Sequence, residues 1–74
     1  MKKIIINTIA KIIKRKPINI KLNLGLGKDE NWDSLAHITI YIELKKKFKY
    51  NGNLKNLGKV KTVKDWINFF SKKK

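Results

Sequence analysis

The sequence predicts an all-α domain, and the spacing of its apolar residues is the main observation behind that prediction. Three stretches place apolar side chains three and four residues apart, which puts them on one face of a helix. These stretches cover about residues 2–14, 34–48 and 62–70. The chain has 74 residues and no cysteine, so its core is small and has no disulfide to reinforce it. We therefore expect one domain over residues 1–74 that is stabilised by helix packing.

The first helix is predicted from a broad stripe of isoleucines between Lys2 and Lys14. Pro17 follows shortly afterwards, and its ring disfavours helical geometry at Lys16. We therefore expect Pro17 to end this helix. The stripe consists of Ile5, Ile6, Ile9, Ile12 and Ile13.

The same opening segment has the lysines and apolar residues of a signal peptide. Its apolar run is interrupted at Asn7 and Thr8 and meets Lys11, and no small-residue cleavage site follows. We interpret it as a helix of the mature protein. No segment approaches the roughly 18 apolar residues that a membrane span requires. The expected protein is soluble and cytoplasmic.

The segment between the first two helices, residues of about 15–33, allows two interpretations. Its apolar residues alternate as in a strand, at Ile18, Ile20, Leu22, Leu24 and Leu26. A single strand leaves backbone groups unpaired, so we favour a long loop whose leucines fill the core while Gly25 and Gly27 permit tight bends. In the alternative, residues 18–24 and 38–44 pair as strands in a mixed fold.

The second helix, residues 34–48, carries two apolar stripes about 120° apart. Together they are wider than a small core requires, so we expect one of them to be exposed as a docking surface beside Ser34. The alternative is that the loop covers both stripes. The first, called the core stripe, contains His37, Ile40, Tyr41, Leu44 and Phe48; the second, called the docking stripe, contains Leu35, Ile38 and Ile42.

The C-terminal part of the chain is predicted to hold a short helix and a longer one. Residues 51–53 read Asn-Gly-Asn, a turn signal, and a short helix is expected at about 53–58. Thr62 and Asp65 have the spacing of a capping box at the start of the last helix. The apolar face of this helix contains Val63, Trp66, Ile67 and Phe70.

The net charge of +14 raises the possibility of a basic nucleic-acid-binding module. Of the 19 basic residues only Arg15 is an arginine, whereas phosphate and base recognition favour the bidentate arginine fork. Lysine, isoleucine and asparagine have AT-rich codons and form about half of the chain, so genome composition is a competing explanation. We keep nucleic-acid binding as the alternative function.

Few residues in the chain are suited to catalysis or metal binding. His37 is the only histidine, and no carboxylate pair has the spacing of a metal site or a triad. We expect His37 and Trp32 to be packing residues, and Asp29 and Glu30 to be solvated loop charges. The sequence therefore predicts neither an enzyme nor a metal site.

Ser34 is the residue of greatest interest because it lies at a helix start. The first-turn amides lack helical acceptors and the helix dipole is positive there, so a phosphodiester on the serine hydroxyl would be favourably placed. The alternative is that Asp33 and Ser34 are ordinary N-capping residues.

Residues 33–70 resemble the acyl carrier protein and peptidyl carrier protein family. Asp33-Ser34-Leu35 match the attachment motif of that family, and Phe48 matches the aromatic residue that closes its second helix. The segment from the third to the fourth helix is matched by Val60, Thr62, Val63 and Ile67. The form of the motif in this chain, Trp-Asp-Ser-Leu, is similar to that of stand-alone carriers from specialised pathways.

The resemblance implies a small four-helix bundle, with three main helices, one short helix and a long loop between helices 1 and 2. Ser34 would carry 4′-phosphopantetheine through a phosphodiester, making this phosphoprotein a carrier of acyl or aminoacyl thioesters in fatty-acid or secondary-metabolite biosynthesis. The implied partners are a phosphopantetheinyl transferase and the enzymes that load and use the cargo. The carrier would be a non-catalytic monomer that docks through Asp33, Leu35, Ile38 and Ile42.

One departure from the family concerns charge. Carriers of this family are usually acidic along the second helix, whereas this helix has Ala36 and Thr39 at such positions and lysines at 45–47. Like charges would oppose a conventional basic partner. We therefore expect either partners of complementary charge or recognition through the docking stripe.

Overall fold

The computed structural model describes residues 2–50 and 54–72, which contain three α-helices and no strand. The helices are α1 (Lys2–Ile13), α2 (Ser34–Phe48) and α3 (Val63–Lys72). The predicted all-α class is confirmed, and the mixed fold with paired strands at 18–24 and 38–44 is wrong.

Two short 3₁₀ turns accompany the helices, at Pro17–Asn19 and Leu54–Lys59. The second occupies most of the predicted short helix of residues 53–58, but its geometry is 3₁₀ rather than α. The turn predicted at residues 51–53 lies outside the described residues.

Helix α1 ends within one residue of the predicted bound of about 14, but for a different reason than the sequence predicts. Its last residue is Ile13, and Lys14 adopts the left-handed conformation with φ of 60°. The Arg15 amide then donates to the carbonyl oxygen five residues earlier, at 2.9 Å, as in a Schellman motif. Lys16 is extended, as expected before a proline, but Pro17 opens a 3₁₀ turn instead of ending the helix.

The core lies between the three helices and is rich in aromatic side chains. The Trp66 ring lies 5.8 Å from that of Tyr41 and 6.0 Å from that of Phe70, measured between centroids. Phe48 is only partly buried and packs against the core. The buried apolar residues are Ile5, Ile9, Ala10, Ile13, Ile20, Trp32, Ile40, Tyr41, Leu44, Val60, Val63, Trp66 and Phe70.

The capping box predicted at the start of α3 is present. The Asp65 carboxylate accepts hydrogen bonds from the amides of Lys61 at 3.1 Å and Thr62 at 3.2 Å. The Asp65 amide in turn donates to the Thr62 hydroxyl at 3.2 Å. These bonds, that from Lys61 above all, hold the pKa of Asp65 below its usual value.

Backbone hydrogen bonds join the long loop between α1 and α2 to residues 61–63, at the start of α3. Leu26 donates its amide to the Lys61 carbonyl oxygen, and Val63 donates to that of Leu24, both at 2.9 Å. Gly25 lies between these bonds, where a Cβ atom would overlap the carbonyl oxygen of Lys61. This close approach between two backbones requires glycine.

The loop contributes less to the core than the sequence predicts. Ile20 is buried and Leu24 packs partly against the core. Ile18, Leu22 and Leu26 are exposed, so most of the alternating residues do not fill the core. The loop is held largely by backbone hydrogen bonds instead.

A bidentate ion pair closes the loop onto the end of α1. Arg15 Nε and Nη2 donate to the two carboxylate oxygens of Asp29 at 3.0 and 3.2 Å, and the Asn31 amide donates to Asp29 at 2.8 Å. The hydrogen bond from Arg15 is the main cause of a lowered pKa at Asp29. The expectation that Asp29 is a solvated charge is therefore wrong, whereas the side chain of Glu30 is 86 % exposed.

Candidate functional site

Ser34 is the first residue of α2, and Asp33 caps the helix. Asp33 has extended backbone geometry, and its carboxylate accepts the amide of Ala36 at 2.9 Å. The carbonyl oxygen of Asp33 accepts the amide of His37 at 2.9 Å, which is the first helical hydrogen bond. Capping is thus assigned to Asp33, and it leaves Ser34 without a capping role.

The Ser34 hydroxyl is open to solvent at the positive end of the helix. Ser34 is exposed, and its side chain forms no hydrogen bond within the described residues. The amides of Ser34 and Leu35 belong to the first turn, where the carbonyl oxygens four residues earlier lie outside the helix, so they have no partner inside it. A negatively charged group on this oxygen would be favoured by the unpaired amides and the dipole.

His37 lies buried one turn below Ser34 and joins three parts of the chain. Its Nδ1 accepts the indole N–H of Trp32 at 2.9 Å, and its Nε2 lies 2.7 Å from the carbonyl oxygen of Val60. An indole N–H only donates and a carbonyl only accepts, so the ring is the neutral tautomer with the proton on Nε2. Since both ring nitrogens are occupied, His37 cannot serve as a base for Ser34.

This junction positions the start of α2 against the rest of the fold. The sequence predicted packing roles for Trp32 and His37, and both side chains are buried. Their hydrogen bonds were not predicted because the partners lie 5 and 23 residues from His37. The only signal in the sequence was a tryptophan five residues before the single histidine.

The docking stripe is exposed next to Ser34. The exposed fractions are 73 % for Leu35, 38 % for Ile38 and 42 % for Ile42, whereas Ile40 and Leu44 on the core stripe are fully buried. The predicted exposure of one stripe is confirmed, and the alternative in which the loop covers both stripes is wrong.

Lysines surround the far end of the docking stripe. The ammonium group of Lys45 lies 5.5 Å above the ring of Tyr41, and Lys46 pairs with Glu43 at 3.7 Å. A shallow concavity of about 510 Å³ is lined by Ile42, Lys45, Lys46, Lys49 and Tyr50. The exposed face of α2 thus runs from a hydroxyl, across apolar side chains, to a cluster of positive charge.

Within residues 2–50 and 54–72, no three histidine and carboxylate side chains lie close enough together to bind a metal ion. None of the helices in the same residues has the length and apolar run needed to cross a bilayer. No family model matches the chain, and no curated protein matches it either.

Proposed function

We propose that this protein is an acyl or aminoacyl carrier whose cargo is held as a thioester on 4′-phosphopantetheine attached to Ser34. The observation that carries the proposal is the exposed hydroxyl of Ser34 at the first turn of α2, next to the exposed Leu35. Because Asp33 supplies the cap, modification of Ser34 leaves the helix terminus intact. This arrangement agrees with the resemblance to the carrier family.

The surroundings of Ser34 fit a phosphodiester. The unpaired amides of Ser34 and Leu35 and the helix dipole favour its negative charge, and the exposed side chain leaves room for an extended arm. When attached, the group would supply the thiol that carries the cargo. The chain's own residues would position the arm and form the docking face, while the chemistry would belong to partner enzymes.

The order of the elements along the chain is compatible with a four-helix carrier bundle. In this proposal the 3₁₀ turn Leu54–Lys59 takes the place of the short third helix, between α2 and α3. The long loop between α1 and α2, fastened at Gly25 to the start of α3, corresponds to the long first connection of that bundle.

The docking stripe and the lysines at its far end would together favour partner proteins of unusual charge. An exposed apolar stripe supports recognition by burial of Leu35, Ile38 and Ile42. The lysines at its far end would repel a basic partner and attract an acidic one. We therefore propose cognate transferases and cargo enzymes with apolar, acidic docking surfaces.

The alternative function, a nucleic-acid-binding module, receives less support. The single arginine, Arg15, is engaged by Asp29. Trp32, Tyr41, Trp66 and Phe70 are buried, and the remaining aromatic side chains pack against the core, so no fully exposed ring is available for base stacking among the described residues.

The test is the intact mass of the protein after incubation with coenzyme A and a broad-specificity phosphopantetheinyl transferase. We expect one phosphopantetheine adduct on the wild type and none on Ser34→Ala, with the helical content of both measured by circular dichroism. Ser71→Ala is the matched control, since Ser71 is the other serine of the chain and is also exposed. An adduct that persists in Ser34→Ala contradicts the proposal. A wild type that stays unmodified at saturating enzyme and at high salt, where repulsion from a basic transferase is screened, also contradicts it.

A further inference from the structure

We propose that the face formed by the start of α1 and the turn Pro17–Asn19 binds anionic lipid bilayers, with Ile18 entering the interface. This face lies apart from Ser34 in sequence and contains none of the docking residues. The inference is therefore independent of the proposed carrier function.

The charge of this part of the chain is the first observation. The first 28 residues contain seven lysines and one arginine and no acidic residue, and all five acidic residues of the chain lie between positions 29 and 65. Lys2, Lys3, Lys16 and Lys21 are exposed. These lysines form no ion pair within the described residues, so the face presents positive charge that an anionic surface would attract.

The exposure of Ile18 is the second observation. Ile18 is 81 % exposed, the largest value for a large apolar side chain among the described residues. It stands beside Pro17 and Ile6 at the edge of a shallow concavity of about 490 Å³, which Lys2 and Lys3 also line. An exposed isoleucine that shares a concavity with Lys2 and Lys3 is suited to the boundary between lipid headgroups and acyl chains.

A bilayer fits this face better than a nucleic acid does. Lysines alone can bind phosphates, but base readout and stacking use arginine forks and aromatic rings. The only arginine, Arg15, is paired with Asp29, and no aromatic residue lines the concavity beside Ile18. Ile18 would contribute nothing to the affinity for a phosphate backbone, whereas its burial in lipid removes apolar surface from water.

The test is co-sedimentation of the full 74-residue chain with vesicles of phosphatidylcholine, alone or mixed with phosphatidylserine, at low and high salt. We expect binding only to the mixed vesicles, with loss at high salt. Ile18→Ser should weaken the partition constant about tenfold. Leu35→Ser is the matched control, since Leu35 is 73 % exposed on α2, and it should bind like the wild type.

Paired charge variants separate an oriented face from simple net charge. Lys2→Gln with Lys3→Gln should reduce binding by about fivefold per lysine, whereas Lys46→Gln with Lys47→Gln, which removes the same charge, should have a much smaller effect. Equal effects of the two pairs would overturn the proposal, as would a partition constant that Ile18→Ser leaves unchanged. Tighter binding to a random nucleic-acid duplex than to the mixed vesicles, insensitive to Ile18→Ser, would also overturn it.

Discussion

Trp32 and Trp66 are both fully buried, but they differ in the environment of the indole N–H. The N–H of Trp32 donates to His37, whereas that of Trp66 has no acceptor within the described residues. The two side chains are therefore equally buried, but only the indole N–H of Trp32 has a hydrogen-bond partner within the described residues. Their comparison isolates the contribution of the Trp32–His37 hydrogen bond.

We expect Trp32→Phe to destabilise the fold by about 1–2 kcal/mol more than Trp66→Phe does. Trp32→Phe leaves the Nδ1 of buried His37 without a donor, whereas Trp66→Phe removes an N–H for which the described part of the chain offers no acceptor. Urea unfolding monitored by circular dichroism gives both free energies of unfolding. Equal losses would show that the hydrogen bond to His37 contributes little.

Single residues also show where sequence patterns stop being informative. The spacing of Thr62 and Asp65 predicted a capping box because both partners lie in one helical turn. The role of Gly25 was predicted only as a site for a bend, since its need for glycine comes from Lys61, 36 positions away in the chain. Local partners can be inferred from spacing, but distant ones cannot.

The start of α3 depends on the ionised Asp65 carboxylate. Its pKa is lowered, so its contribution to stability is complete above the usual range of aspartate and is lost as pH falls through the lower, folded value. We expect wild type to be more stable than Asp65→Asn at neutral pH, and the difference to shrink as pH falls from about 5 to about 2.

Thermal melts of wild type and Asp65→Asn across this pH range provide the measurement. Glu30→Gln is the control, because it removes one carboxylate from a largely exposed position outside α3. A stability difference between wild type and Asp65→Asn that stays constant with pH would mean that the charge of Asp65 does not support the cap.

The two faces of α2 can be separated by the same substitution at two nearby positions. Ile40 is fully buried and Ile38 is 38 % exposed. We expect Ile40→Ala to cost about 2–5 kcal/mol and Ile38→Ala less than about 1 kcal/mol, because only the first leaves a cavity. Ile38→Ala should instead slow modification by a transferase that uses the docking stripe. Similar losses of stability at both positions would show that Ile38 belongs to the core.

The whole molecule carries its +14 charge within a Cα radius of gyration of 11.0 Å. This distance is close to the Debye length of about 10 Å at 0.1 M salt, so repulsion acts across much of the protein at low ionic strength. Lys11 and Lys47 line one groove between α1 and α2, where Glu43 is the only acidic residue.

We expect the melting temperature to rise with sodium chloride concentration. The double variant Lys11→Gln and Lys47→Gln should melt higher than wild type at low salt and gain less from added salt, because repulsion in the groove is already relieved. The control is Lys28→Gln with Lys59→Gln, which removes the same charge from exposed positions outside this groove. A melting temperature that falls as salt is added would contradict the importance of self-repulsion.

The all-α class, the approximate bounds of α2 and α3 and the two stripes of α2 were determined by the sequence, because helical periodicity and capping depend on residues within a few positions of each other. Spacing within α2 does not by itself select the buried stripe; the core stripe is buried because Trp66 and Phe70 of α3 pack in the core with Tyr41. The path of the loop and the junction at His37 depend on Lys61 and Val60, far along the chain. Such contacts form only when distant segments meet, and no local spacing records them.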